Sequence, residues 1–198
     1  MSAYICPVDD RVSLRASLLF MPIVLLGFGL LYSLVGAGLG RVLFPGAAMG
    51  SLIEREGKVV GSELVAQPFA DARYFQPRPS AANYDPMAAA GSNQARSNPD
   101  LRKRIAELTT SVAQRDGIAP AQVPGELVTQ SGAGLDPHVS PTAAQVQVAR
   151  VAGARGLEPA EVARLVSAYT EAPQFGVLGQ PRVNVLKLNL ALDAMQAR

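Results

Sequence analysis

The chain has 198 residues, a length that suggests one domain with or without an appendage. Its 18 basic and 16 acidic residues give a formal net charge of +2 and are spread along the chain, without the basic block that nucleic-acid binding requires. Cys6 is the only cysteine and His138 the only histidine, which excludes an internal disulfide and a zinc site built from several Cys and His ligands.

Residues 16–40 form an apolar stretch without a charged side chain. A helix of this length extends roughly 37 Å, which exceeds the roughly 30 Å hydrocarbon core of a bilayer. The length favours an uncleaved transmembrane helix, because the apolar region of a signal peptide usually spans about 7–15 residues. Small residues at 35–37 or 46–48 would suit a signal peptidase, so a cleaved signal is the alternative.

The charges around the apolar stretch do not decide its orientation, because basic residues flank both ends. They are Arg11, Arg15, Arg41, Arg55 and Lys58. Most of the chain follows the stretch, so we expect the working domain to be C-terminal.

Within the apolar stretch, Gly36 and Gly40 form a GxxxG pair. Such a pair allows close approach of a second helix, and it predicts a contact with a partner span. The alternative is that the glycines have no partner, since small residues are common in membrane spans.

The segment after the span divides into a hairpin and a long loop. Residues 51–67 predict two short strands with a turn at Glu56–Gly57. Residues 68–98 are rich in Pro, Asn, Gly and Ala, without an apolar period, and a loop of this length is usually functional or disordered. Its aromatic residues Tyr74, Phe75 and Tyr84 favour packing over disorder.

Capping signals predict four helices in the remaining chain. The first helix begins after Asn98 and ends at Gly117, the second runs from Ser140–Pro141 to Gly156, the third begins at Pro159, and the last runs from an Asn184 cap to Met195; residues 126–132 predict a short strand. The predicted fold class is therefore α+β, dominated by helices, with one N-terminal transmembrane helix.

The stretch 129–141 contains His138 and, two positions earlier, Asp136. A hydrolase site would use His138 as the base, Asp136 to orient it, and a serine nucleophile. Residues of one short loop rarely reach that geometry, and no GxSxG elbow is present. A structural turn is therefore the favoured interpretation, with a binding surface and a catalytic site as alternatives. The phosphate-binding GxxxxGK[S/T] loop is also absent.

Three arginines and two glutamines are further candidates. Arg73, Arg78 and Arg182 could bind an anionic partner, but we favour bridges that hold the long loop to the core. Gln145 and Gln147 lie on the second predicted helix, where a solvated position is the expectation.

Several blocks resemble one protein family in order along almost the whole chain. They include YFQPRPSAANYDP (74–86), VTQSGAGLDPHVSP (128–141) and LGQPRVNVLKLNLALD (178–193). The chain resembles the C subunit of the bacterial Kdp potassium-transporting P-type ATPase. It departs from the family at 89–91, where Ala-Ala-Gly replaces the common Ser-Gly-Gly, and at 94–96.

The resemblance implies a subunit of the cell inner membrane with residues 1–15 in the cytoplasm, 16–40 as the span and 41–198 as a compact periplasmic domain. It implies assembly with a potassium-channel-like subunit, the ATP-hydrolysing P-type subunit and a small accessory peptide. ATP, magnesium and potassium would belong to the complex, and this chain would have no cofactor, metal site or catalytic site of its own. Its function would be to assemble and stabilise the pump.

The family is also described as a catalytic chaperone that raises the ATP affinity of the pump, and Gln147 matches the glutamine proposed to contact nucleotide. A periplasmic domain cannot reach cytoplasmic ATP, so such coupling would be indirect. The candidate partner-interface residues are Gly36, Gly40, Tyr74, Phe75, Arg78, Asp136, His138 and Arg182. The alternative function is a membrane-anchored periplasmic hydrolase using His138 and Asp136.

Overall fold

The computed structural model describes residues 14–196, and the chain divides into two compact units with a boundary between Gly50 and Ser51. The first unit is helical over Leu14–Leu43, where α1 (Leu14–Val24) continues through a π-helical segment (Leu25–Leu31) into α2 (Tyr32–Leu43). The apolar residues 16–40 lie within this helix. Among the described residues it is the one helix long and apolar enough to cross a membrane.

The short helix α3 (Pro45–Ala48) completes the first unit, and the second begins with a hairpin. Strands β1 (Leu52–Arg55) and β2 (Lys58–Ser62) pair antiparallel. Glu56 and Gly57 connect them with φ values of 53° and 74°. Two consecutive positive φ angles are typical of the tight turn that matches strand twist, so the predicted hairpin is confirmed.

A second sheet brings distant segments together. Strands β3 (His138–Val139), β4 (Thr170–Glu171) and β5 (Arg182–Asn184) pair antiparallel in the order β3-β5-β4. His138 lies opposite Asn184, and Val183 lies between Val139 and Thr170. Strands of two or three residues are too short to show an alternating pattern, so the sequence did not predict them.

The strand predicted over 126–132 is wrong, because the structure has a 3₁₀ turn at Gly125–Leu127 there. The Gly125 carbonyl accepts hydrogen bonds from the backbone of Val128 and Thr129 and from the Thr129 hydroxyl. These local bonds close the backbone into a turn. Leu127 and Val128 are still buried, so their apolar character reflects the core and not a strand.

Helix α4 (Pro99–Asp116) begins and ends as predicted. Asn98 Oδ1 accepts a hydrogen bond from the Asp100 N–H at 2.9 Å, and Gly117 ends the helix with a φ of 67°. The remaining helices are α5 (Pro141–Gln145), α6 (Val148–Arg155), α7 (Pro159–Ala168) and α8 (Val185–Gln196). The predicted ends at Ser140, Gly156, Pro159 and Asn184 agree with these bounds.

The second predicted helix is divided into α5 and α6 at Gln147. In a regular helix the Ala143 carbonyl would accept the Gln147 backbone N–H. Here Ala143 accepts the Gln147 side chain, from Nε2 at 3.0 Å, and the Gln147 backbone N–H turns to Ala144. The helix therefore breaks because the buried Gln147 side chain occupies the Ala143 carbonyl, which the Gln147 backbone N–H would bond in a regular helix.

The core of the second unit consists mainly of Val, Ala and Leu side chains. Val139 and Val183 of the sheet pack with Val151 and Val162 of the helices, and all are at most 2% exposed. Phe75, from the long loop, is 0% exposed and joins the same cluster. Packing of this loop by its aromatic residues is therefore confirmed for Phe75, and the α+β class dominated by helices is confirmed as well.

Candidate functional site

The long loop is held to the helices by two side-chain amides. Asn189 of α8 accepts the Phe75 N–H at 2.8 Å and donates to the Phe75 carbonyl at 3.0 Å. Gln147 does the same to Gln76, at 2.8 Å and 3.2 Å. Each amide thus pairs with one residue as a neighbouring strand would. We call residues 72–76 the clamped segment.

Two arginines of α6 extend this arrangement. Arg150 donates to the carbonyls of Ala72 and Tyr74, and Arg155 donates to the Arg73 carbonyl at 2.7 Å. Their charges are balanced by carboxylates: Arg150 Nε lies 2.6 Å from Asp116, and Arg155 Nη2 lies 2.8 Å from Asp193. Burial lowers the pKa of the Arg150 guanidinium, and the hydrogen bond to Asp116 opposes that shift.

These contacts decide where three candidate residues lie. Gln147 is 0% exposed, so the expectation of a solvated Gln147 is wrong, whereas Gln145 is exposed as expected. Phe75 is also 0% exposed, so its ring packs in the core of the second unit, and its place in a partner interface stays a prediction. Tyr74 is half-buried, donates to Asp193 at 3.2 Å and faces the Arg155 guanidinium across its ring at 4.9 Å.

The structure brings three other candidates, Asp136, His138 and Arg182, into one cleft of about 410 Å³. The other lining residues are Glu126, Val139, Ser140, Gln180 and Pro181. Pairing of β3 with β5 places the segment around His138 beside the segment around Arg182. The cleft therefore depends on the sheet that the sequence did not predict.

Asp136 is the centre of a polar turn in this cleft. Its Oδ1 accepts the His138 backbone N–H at 3.0 Å and lies 3.3 Å from His138 Nδ1, and its Oδ2 lies 3.4 Å from Arg78 Nη1. The hydrogen bond from the His138 ring, with the backbone N–H and the Arg78 charge, holds the pKa of the Asp136 carboxyl below its ordinary value. Partial burial opposes this shift. The arrangement agrees with the favoured interpretation, a structural turn.

The serine in the cleft is held away from hydrolase geometry. The Ser140 hydroxyl donates to Glu126 Oε1, and the same carboxylate oxygen accepts the Ser140 N–H at 3.0 Å. The Ser140 oxygen also caps α5 by accepting the Ala143 N–H at 3.1 Å. Since a nucleophile must give its proton to the base, this pairing with Glu126 does not favour a Ser140–His138 site.

The three candidate arginines behave differently. Arg78 bridges the long loop to Asp136 and to the Gln130 carbonyl, as predicted. Arg73 instead pairs locally with Asp71, whose carboxylate raises the pKa of the Arg73 guanidinium, and Arg182 pairs with Glu171 of β4 at 2.9 Å. For Arg73 and Arg182 the predicted bridge from loop to core is therefore wrong.

Gly36 and Gly40 of α2 have open surroundings in the described residues. A Cβ atom at either position would meet no atom within 4 Å apart from its chain neighbours and the backbone of its own helix. Their contact with a partner helix stays a prediction.

Sequence reasoning missed Asn189, Arg150 and Arg155 as the residues that organise the long loop. Asn189 had a signal: it lies between Leu188 and Leu190 in an apolar helix, and a polar residue at such a position needs a hydrogen-bonding partner. The arginines had none, because solvated arginines on short helices are common.

Comparison with known proteins identifies the family of this fold. The KdpC family model, described as "K+-transporting ATPase, c chain", matches residues 14–194. The chain belongs to this family. The potassium-transporting ATPase KdpC subunit of Xanthomonas campestris pv. campestris strain B100 is 65% identical over 187 residues, covering 94% of this chain and 90% of the relative.

More distant members of the KdpC family match over a similar extent. The KdpC subunit of Methylococcus capsulatus is 51% identical over 185 residues, covering 92% of this chain and 97% of the relative. The KdpC subunit of Shewanella putrefaciens is 50% identical over 182 residues, covering 92% and 89%. The matches include both the apolar helix and the unit that carries the clamped segment.

Proposed function

We propose that the chain is a non-catalytic accessory subunit of an ATP-driven potassium uptake complex, which it assembles and stabilises. The family match over residues 14–194 carries this proposal, because it covers the apolar helix and the second unit together. The helix Leu14–Leu43 serves as the membrane anchor, and its 30 residues exceed the roughly 20 that a span needs.

The proposed topology has residues 1–15 in the cytoplasm, 16–40 as the span and 41–198 as a periplasmic domain of the inner membrane. The partners are a potassium-channel-like subunit, the P-type ATPase subunit and a small accessory peptide. ATP, magnesium and potassium are bound by the complex rather than by this chain. The resemblance of the loop blocks to the Kdp C subunit supports these assignments.

An effect on the ATP affinity of the pump would be indirect in this proposal. The Gln147 amide makes two hydrogen bonds through Oε1, to Gln76 and Arg150, and two through Nε2, to Gln76 and Ala143. A buried amide with every hydrogen-bonding position in use has nothing left to offer a nucleotide. Its role is to shape the domain that meets the other subunits.

Purification of the complex tests the proposal. The tagged chain is extracted from native membranes in mild detergent, and the proteins that accompany it are identified by mass spectrometry. We expect a P-type ATPase and a potassium-channel-like subunit in constant proportion to the chain. Recovery of the chain alone, from membranes that contain those subunits, would reject the proposal and return attention to the cleft around His138.

A further inference from the structure

The segment between β4 and β5 is a small apolar projection. Residues 173–179, which we call the apolar tip, expose Phe175 by 83%, Val177 by 79% and Leu178 by 59%. Burying such side chains is the main favourable contribution to folding and association, so solvent exposure of three neighbours is unfavourable. Among the described residues of the second unit, no helix or strand covers them.

The apolar tip is closed by its own backbone hydrogen bonds. Gln174 and Leu178 exchange two backbone hydrogen bonds of 2.8 Å and 2.9 Å, and the Gly176 N–H donates to the Pro173 carbonyl at 2.9 Å. These bonds hold Phe175 at a φ of 55°, in the left-handed region that a bulky side chain rarely adopts. Strain of this kind is concentrated at functional positions, and a segment already closed by its own hydrogen bonds has less freedom to lose when it binds.

The charges around the apolar tip indicate what it binds. Residues 172–181 contain no charged side chain. The next cation, Arg182, is paired with Glu171 at 2.9 Å. Surfaces that enter a bilayer usually combine apolar side chains with unpaired Lys or Arg for lipid phosphates, and this segment lacks them. An uncharged apolar projection fits an apolar pocket on another protein.

We propose that the apolar tip inserts into an apolar pocket on another subunit of the potassium pump, with Phe175 as its anchor. This inference rests on the proposed function, which supplies the complex. It differs from the interface expected from the sequence, where none of the candidate residues lies in 173–179. The adjoining cleft, lined by Gln180 and Pro181, would lie at the margin of the contact.

Photocrosslinking in the intact complex tests the contact. Phe175 is replaced by the photoreactive residue benzoyl-phenylalanine, and in a matched chain Met87 is replaced instead, since Met87 is 92% exposed on a 3₁₀ turn of the same unit. We expect irradiation of membranes to join position 175, but not position 87, to another pump subunit. Adducts of position 175 with lipid only, with a second copy of this chain only, or with nothing while the complex co-purifies would overturn the inference.

Substitution measures the strength of the same contact. The double variant Phe175→Ser with Val177→Ser should retain about tenfold less of the other subunits during detergent washes than wild type, because buried aromatic anchors dominate interface energies. Met87→Ser should retain them fully. The loss should persist at low and high salt, because an apolar contact is not screened. Undiminished retention in the double variant would overturn the inference.

Two comparisons separate the possible failures. If the wild-type chain does not co-purify with the pump, the proposed function fails, whatever the tip does. If wild type co-purifies and the tip variants behave like Met87→Ser, only this inference fails. The thermal unfolding midpoint of each variant separates a loss of retention from a loss of folding. We expect it to be unchanged, because the substituted side chains are exposed.

Discussion

Gln147 has two competing interpretations: a buried structural amide, or a residue that contacts nucleotide. Replacing it by alanine leaves the Gln76 N–H, the Gln76 carbonyl and one Arg150 donor without their partner. Buried groups that lose a partner typically cost about 1–3 kcal/mol each before relaxation, so we expect Gln147→Ala to lower the free energy of unfolding by roughly 2–4 kcal/mol. Thermal unfolding of the full chain in detergent measures this.

The control for that substitution is Gln145→Ala, two residues earlier and exposed, which should change stability by less than about 0.5 kcal/mol. If Gln147 is structural, the assembled pump containing Gln147→Ala should dissociate at raised temperature, without a specific rise in its KM for ATP. A large rise in that KM with unchanged stability would instead support the nucleotide-contact prediction.

Asp136 gives the domain a pH-dependent contribution to stability. Its pKa is lowered in the folded state, so its ionised form is stabilised there relative to the unfolded chain. The contribution is therefore full above the ordinary carboxyl pKa of about 4 and disappears as the pH falls through the lower folded value. We expect wild type to be more stable than Asp136→Asn at pH 7, with the difference shrinking below about pH 4.

Urea unfolding of both proteins across this pH range measures the difference directly. Glu107→Gln on α4 is a suitable control, because Glu107 is exposed and lies 4.0 Å from Lys103. Its difference from wild type should be small at every pH, as is usual for exposed ion pairs. A wild-type advantage over Asp136→Asn that grew on acidification would contradict the assignment.

The hydrogen bonds that hold the clamped segment could not be predicted from the sequence. Gln147 and Asn189 bond to residues 71 and 114 positions away, and no local pattern encodes such pairing. The sequence showed a glutamine on a helix and a loop with aromatic residues. It did not show that the Gln147 side-chain amide would hydrogen-bond to the backbone of Gln76 in that loop.

At the scale of elements, Ser140 links the start of α5 to the cleft. Ser140→Ala removes the N-terminal cap from Ala143 and the hydroxyl donor from Glu126. Loss of a cap typically costs about 1 kcal/mol, so we expect a measurable decrease in stability. Ser167→Ala in α7, where the hydroxyl bonds to the Ala163 carbonyl four residues earlier, should be nearly neutral.

The same variant separates a structural serine from a catalytic one. With a structural Ser140, potassium-stimulated ATP hydrolysis by the assembled pump should persist in Ser140→Ala at a temperature well below its unfolding midpoint. Complete loss of activity in a folded, assembled variant would favour chemistry at the cleft.

Elements with local signals were predictable, and elements that depend on distant partners were not. Helix α4 has a cap at Asn98 and a left-handed glycine at its end, and both are readable in sequence. Strands β3 and β5 exist only because segments more than forty residues apart pair with each other. The apolar tip was missed for a related reason, since its exposure depends on that sheet.

At the scale of the whole molecule, the apolar helix and the second unit agree with the family but do not by themselves orient the chain. Flanking charges on both sides leave the positive-inside rule undecided. The topology proposed above has the N-terminus inside and the second unit outside. This direction is open to a chemical test because the chain has one cysteine.

Labelling with a membrane-impermeant maleimide determines the topology. Cys6 precedes the apolar helix and lies outside the described residues, whereas Met87 is 92% exposed in the second unit. We expect intact spheroplasts to label Met87→Cys in a Cys6→Ser background, and to label wild-type Cys6 only after permeabilisation. The reverse pattern would place the second unit in the cytoplasm. Loss of Cys6 from the mature chain, seen as a lower intact mass, would instead reveal a cleaved signal and remove the anchor on which the proposed assembly depends.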